Sequence, residues 1–189
     1  LQHPDSGPTV DRERIGVAGH SQGGFTALWV GGATVNADKY LGFQTRWKDN
    51  RMVPAHLRRD LPLDPGPALD VHDQRIKAAF AMAPGIIQAF GMDELGLSRM
   101  AIPAFLIVGA RDTQTPPGPN AEFAAKHIPG ATLEILPGLV DHEIFVNECN
   151  DAGRDEFPEA CIDAAGVDRG ALHRTIGEAA VRFFGTALK

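Results

Sequence analysis

The sequence predicts an α/β protein, a mostly parallel sheet with helices on both faces. Three observations carry that prediction. Short apolar runs alternate with helical stretches along the 189 residues, the first run ends in a glycine-flanked turn that opens a helix, and the chain closes on a long amphipathic stripe.

The elements follow in order. Residues 14–20, Arg-Ile-Gly-Val-Ala-Gly-His, form an apolar run without helical period and end at a serine between glycines, which reads as a buried strand and a tight turn. Gln22 to about Thr34 carries Phe25, Ala27, Leu28 and Trp29, the clustering a helix needs to pack on a sheet. From about Val35 to Gln74 the character shifts to Lys, Arg, Asp and Pro, and Leu-Pro-Leu-Asp-Pro-Gly-Pro at 61–67 is too rich in proline for a helix interior. This 35–74 stretch is an excursion from the core, the one candidate for a lid. Strands resume at Arg75–Pro84 and Pro103–Asp112, a helix follows around Asn120–His127, and another strand spans Ala131–Leu136. From Asp168 to about Leu188, a helix places Leu172, Ile176, Ala179, Ala180, Phe183 and Phe184 on one face. With no internal repeat or dividing linker, residues 1–189 read as one domain.

Composition narrows the function classes. Eighteen Lys and Arg against 24 Asp and Glu give a net charge of −6, which offers no basic footprint for nucleic acid. No run approaches the roughly 18 apolar residues of a membrane span, so the expected partner is a small molecule. Leu1 opens the chain, and residues 1–10 have neither the charged end nor the apolar core of a secretion signal. Cys149 and Cys161 lack the spacing of a zinc or redox site; one bridge and two free thiols both fit.

Gly19-His20-Ser21-Gln22-Gly23 matches G-x-S-x-G, between a predicted strand and a predicted helix. Small residues there permit a strained turn that lifts the serine hydroxyl above the sheet and aims helix N-terminal N–H groups at a developing oxyanion. A glycine-rich phosphate loop is the competing reading, but Gly16, Gly19, Gly23 and Gly24 do not spell G-x-G-x-x-G and no Walker lysine follows.

A serine hydroxyl needs a base, and the base needs an orienting carboxylate. Asp112 ends the run Phe-Leu-Ile-Val-Gly-Ala-Arg-Asp at the edge where parallel sheets meet ligands, and His142 lies in a loop after the last strand. The chain order Ser21, Asp112, His142 is that of a nucleophile-elbow hydrolase. Asp112 as a helix cap and His142 as a solvated loop residue are the plainer alternatives. His127 and His173 look structural, His20 is expected to point away from the site, and Asp141 and Glu143 look like loop carboxylates. No metal is expected: His142-Glu143 begins H-E-x-x-H, but Val146 holds the second histidine position.

With these pieces in place the chain resembles the α/β-hydrolase superfamily, and within it the bacterial predicted dienelactone hydrolases related to platelet-activating-factor acetylhydrolases. The likeness rests on RIGVAGHSQGGFTAL at 14–28, RIKAAFAMAP at 75–84, PAFLIVGARDTQTPP at 103–117, DHEIF at 141–145 and the tail from Cys161. It implies Ser21 as nucleophile, His142 as base and later acid, Asp112 as the residue that holds the imidazole, and the Gln22 N–H as one oxyanion donor, with no cofactor. Dienelactone hydrolases carry cysteine at the elbow, so Ser21 points to ester cleavage rather than to that substrate.

The resemblance also implies that several strands and a second oxyanion donor precede the elbow. An elbow at residue 21 therefore predicts the C-terminal part of such a sheet, its front strands missing and its apolar edge open to the missing half or another chain. Loss of one oxyanion donor costs about 10²- to 10³-fold, so the chain alone is expected to be a weak catalyst. In the same picture Cys149 and Cys161 bridge the loop before the final helix, worth about 3 kcal/mol in the chain-entropy model. A bridge favours a secreted or periplasmic protein, free thiols a cytoplasmic one. A non-catalytic interaction domain and an acyltransferase using the same triad are the rival functions. Tyr40, Phe43, Trp47 and Met52 either line an acyl pocket or pack the excursion; packing is favoured.

Overall fold

A computed structural model describes residues 11–42 and 71–189. Among these residues four strands, β1 (Ile15–His20), β2 (Ile76–Met82), β3 (Ala104–Gly109) and β4 (Thr132–Leu136), form one sheet in chain order. All three pairings are parallel, with Gly19 beside Ala81, Met82 beside Ile107 and Val108 beside Ile135. Helix α1 (Gln22–Val30) follows β1 directly, and α2 (Glu94–Ser98) lies between β2 and β3. A π-helical turn at Gly118–Glu122 runs into α3 (Phe123–His127); after β4 come a 3₁₀ turn (His142–Phe145), α4 (Asp151–Glu156), α5 (Pro158–Cys161) and the long α6 (Arg169–Ala187).

Strand alternation sends successive side chains to opposite faces, and each face has its own core. Ala79, Ala81, Leu106 and Val108 meet Phe25 and Leu28 of α1 and Ala124 of α3. Phe80 and Ile107 meet Ile176 and Ala179 of α6, with Leu172, Ala180, Phe183 and Phe184 packed around them. The stripe read from the sequence is thus the face that α6 lays on the sheet. Phe80 stacks on Phe105 with ring centroids 5.0 Å apart. Burying a ring of this size is worth roughly 1.5–3 kcal/mol.

Several boundaries differ from expectation. Helix α1 stops at Val30 rather than near Thr34 because Gly32 adopts φ 112°, and Ala33 N–H turns back to the Leu28 carbonyl, a glycine-based helix stop. Helices α2 and α4 each rest on a capping side chain: Asp93 accepts from Gly96 N–H, and Asn150 from Gly153 N–H. They are too short to show periodicity, and the sequence predicts no helix at either. Of the 35–74 excursion, residues 43–70 lie outside the described residues, as do Phe43, Trp47 and Met52. Tyr40 packs on the α1-side core, and Lys39 reaches Asp93 at 3.1 Å.

Cys149 and Cys161 are bridged, their Cα atoms 5.5 Å apart. Arg169, buried at the start of α6, spans the same segment without covalent help. It donates to both carboxylate oxygens of Asp163 at 2.9 Å and to the carbonyls of Val146, Asn147 and Ala160. Among the described residues no helix is long and apolar enough to cross a membrane.

Candidate active site

Parallel pairing puts the C-terminal ends of all four strands on one edge, and the candidate residues lie there: Ser21 after β1, Gly85 after β2, Asp112 after β3 and His142 after β4. Ser21 has φ 58° and ψ −120°, a conformation that costs a non-glycine residue about 1–3 kcal/mol. Backbone hydrogen bonds impose it. Ser21 N–H donates to the Met82 carbonyl at 2.9 Å, while its own carbonyl accepts from Phe25 and Gly85 N–H, each at 3.1 Å. A Cβ on Gly19 would overlap the Gly23 carbonyl, and one on Gly24 would lie 3.0 Å from both the Met82 oxygen and the Pro84 Cα. A Cβ on Gly23 would meet nothing within 4 Å. The close approach of helix to strand therefore depends on Gly19 and Gly24. Gln22 sits at the first position of α1, where a backbone N–H has no intrahelical acceptor.

Asp112 and His142 form a buried pair, their side chains 0% and 3% exposed. Asp112 Oδ2 lies 2.8 Å from His142 Nδ1, which sets the proton on Nδ1 and leaves Nε2 as the basic nitrogen. Oδ1 of the same carboxylate accepts from the backbone N–H groups of Gln114 at 3.0 Å and Thr115 at 2.7 Å. Burial works against ionisation of Asp112, but the hydrogen bonds from His142 and from the Thr115 backbone and hydroxyl outweigh it. The carboxyl is held below its usual range.

The loop that carries His142 is clasped from two sides. Asp141 Oδ1 accepts from His142 N–H at 2.7 Å and from Thr113 N–H at 2.9 Å, joining it to the loop that carries Asp112. Gln114 Nε2 donates to Glu143 Oε1 at 2.6 Å. From α6, His173 Nε2 lies 2.7 Å from the Ile144 carbonyl. Asp141 and Glu143 are thus clasps between two site loops, a role that reading them as loop carboxylates does not anticipate.

Ser21 and the pair converge on one place. The Ser21 Oγ lies 3.8 Å from where a Cβ on Gly85 would sit, and the methyl of Thr115 crowds the same point. Thr115 Oγ1 is in turn 3.1 Å from His142 Nδ1. Among the described residues no hydrogen bond joins Ser21 Oγ to the imidazole. His20 corrects the expectation that it points away: its ring centroid is 4.6 Å from that of His142 and 5.2 Å from that of Phe145. Its Nε2 is buried, with no hydrogen-bond partner among the described residues, and burial, then the neighbouring His142, depresses its pKa. His127 bonds its own helix, Nδ1 lying 2.9 Å from the Phe123 carbonyl. Thr115, Arg169 and Gly85 were not singled out in the sequence. For Thr115 a signal existed, since a threonine three positions after an aspartate in a turn can bond back to it.

No family model matches the chain, and no curated protein matches it. Solved structures do. The acylaminoacyl peptidase of Pyrococcus horikoshii superposes with a TM-score of 0.51 at 15% identity over 96% of this chain and 25% of its own. A puromycin-hydrolyzing peptidase of Mycobacterium tuberculosis gives 0.49 at 15% identity, covering 95% of this chain and 22% of its own. An acetyl ester-xyloside bifunctional hydrolase of Caldicellulosiruptor lactoaceticus gives 0.42 at 18% identity, covering 90% and 58%. The chain spans about a quarter of the length of the two peptidases. Its four parallel strands and flanking helices match part of the α/β-hydrolase fold.

Proposed function

We propose that this chain carries the reacting groups of a serine hydrolase that cleaves carboxylic esters. The observation behind this reading is a buried Asp112–His142 pair beside a serine held at positive φ on the N-terminus of a helix. Ser21 Oγ attacks the ester carbonyl while His142 Nε2 takes its proton, and Asp112 stabilises the resulting imidazolium. The Gln22 N–H donates to the tetrahedral oxyanion. Collapse breaks the bond to the alkoxy group, which leaves as the alcohol with the proton from His142. Water then attacks the acyl-enzyme with His142 as base, releasing the acid and restoring the Ser21 hydroxyl. The likeness at 14–28, 103–117 and 141–145 to the predicted dienelactone hydrolases favours that subgroup, with serine as nucleophile.

The test is labelling with a fluorophosphonate, read by mass spectrometry, alongside turnover of nitrophenyl esters of graded chain length. Modification is expected on Ser21 and absent in Ser21→Ala. His142→Ala is expected to lose about 10²- to 10⁴-fold in turnover, and Asp112→Asn about 10⁴-fold with the fold retained. A folded chain that labels elsewhere or nowhere ends the reading, and cleavage of acyl-peptide anilides but not esters moves it to a peptidase.

A further inference from the structure

Thr115 touches both members of the Asp–His pair, and nothing in the triad account uses it. The residue is buried, 4% exposed. Its hydroxyl lies 2.9 Å from Asp112 Oδ2, 3.1 Å from His142 Nδ1 and 3.2 Å from the Ala83 carbonyl. A hydroxyl has one proton and two lone pairs. Two of the three neighbours can only accept, and the carboxylate is the stronger acceptor, so the proton goes to Asp112 Oδ2. A lone pair then faces Nδ1–H, which is shared between Asp112 Oδ2 and Thr115 Oγ1.

The rest of the residue is placed with equal constraint. Its N–H donates to Asp112 Oδ1, so Thr115 holds one carboxylate oxygen with its backbone and the other with its side chain. Its methyl fills the space that the missing side chain of Gly85 leaves, beside Ser21 Oγ. Rotation of either ring or carboxylate breaks a contact to this one hydroxyl.

We infer that Thr115 is a positioning residue of the hydrolytic site: its hydroxyl fixes the plane of the Asp112 carboxylate and, by accepting from Nδ1–H, supports the imidazolium of His142. This rests on the ester-hydrolase reading only for its kinetic consequence. The hydrogen-bond geometry stands by itself.

The experiment compares Thr115→Val, which keeps the shape and the backbone bond but removes the hydroxyl, with Thr115→Ser, which keeps the hydroxyl and removes the methyl. Two readouts are used on the full chain. The first is the His142 Nδ1–H proton and the ring titration by NMR. The titratable groups against that ring are Asp112 from beyond β3 and His20 from the end of β1, and Glu143 acts on His20 in turn, so each variant is also titrated with His20→Phe to isolate the Thr115 effect. The second is nitrophenyl ester turnover against pH.

Thr115→Val is expected to shift the Nδ1–H resonance upfield, move the His142 titration to lower pH and lower kcat about 10-fold at unchanged KM. Thr115→Ser is expected to restore both to near the parent. If the parent turns over no ester but the resonance and titration still move in Thr115→Val, the positioning role stands and the esterase reading falls. A Thr115→Val protein whose resonance, titration and rate match the parent overturns the inference. So does a Thr115→Ser protein as impaired as the valine variant, since it would assign the effect to the methyl. Should valine prevent folding, Thr115→Ala carries the same expectations.

Discussion

The turn at Ser21 and the segment around His142 meet at the same edge of the sheet but are held by different means. Backbone atoms hold the turn: three main-chain hydrogen bonds fix Ser21 at φ 58°, and Gly19 and Gly24 clear the path of the helix. Side chains hold the His142 segment, with Asp141, Asp112, Thr115 and His173 each contributing a bond. In the proposed mechanism a nucleophile under strain needs a rigid frame, because any relaxation would move it. On the same proposal, a base that gains and loses a proton is better served by polar side chains that keep its ring in place.

The contrast can be tested by the kind of change each region tolerates. The largest effect is expected beyond the His142 turn, at Arg169→Leu, where Asp163 and three carbonyls lose their buried partner. Chemical denaturation should show a loss of about 3–5 kcal/mol, and a loss below about 1 kcal/mol would mean the segment is held by something other than this guanidinium. Next comes Gly19→Ala, which drives a methyl into the Gly23 carbonyl and should cost about 1–3 kcal/mol. Gly23→Ala, with open space around the new methyl, should be stabilising by up to about 1 kcal/mol through helix propensity. Equal costs at the two glycines would contradict a backbone-built turn. Ser21→Gly should abolish turnover yet raise stability by about 1 kcal/mol through release of the positive-φ strain. A lower Tm in that variant would show that Ser21 is not strained.

The smallest effect concerns pH. His20 has a depressed pKa in the folded chain, so the unfolded chain binds the extra proton first as the solution is acidified. Stability is then highest above about pH 6.5 and declines as pH falls through the lower folded value. His20→Phe should flatten the Tm profile between about pH 7 and 5, and an unchanged slope would locate that pH dependence in another group.

The same division explains what the sequence disclosed. Backbone geometry demands glycine at Gly19 and Gly24, so the turn at Ser21 is visible within six consecutive residues, although space does not require the second glycine of the five-residue motif, Gly23. The four strands are visible as short apolar runs, and the stripe on α6 through its helical period. Thr115, Asp141 and Arg169 act largely through contacts with residues up to 32 positions away, and no local period marks them. His20 looked idle because a side chain beside a sharp turn has no direction that its neighbours in sequence determine; the ring finds His142, 122 residues later, only when β1 and the segment after β4 share an edge.

Two restraints of unlike chemistry span the stretch between His142 and the last helix. The sulfur bridge from Cys149 to Cys161 yields to thiols; the guanidinium of Arg169 is indifferent to them and grips the chain at Val146, Asn147, Ala160 and Asp163. A reducing environment therefore slackens only the outer span, while the inner grip keeps the stem of that span docked on the helix, so the imidazole does not inherit the redox history of the medium.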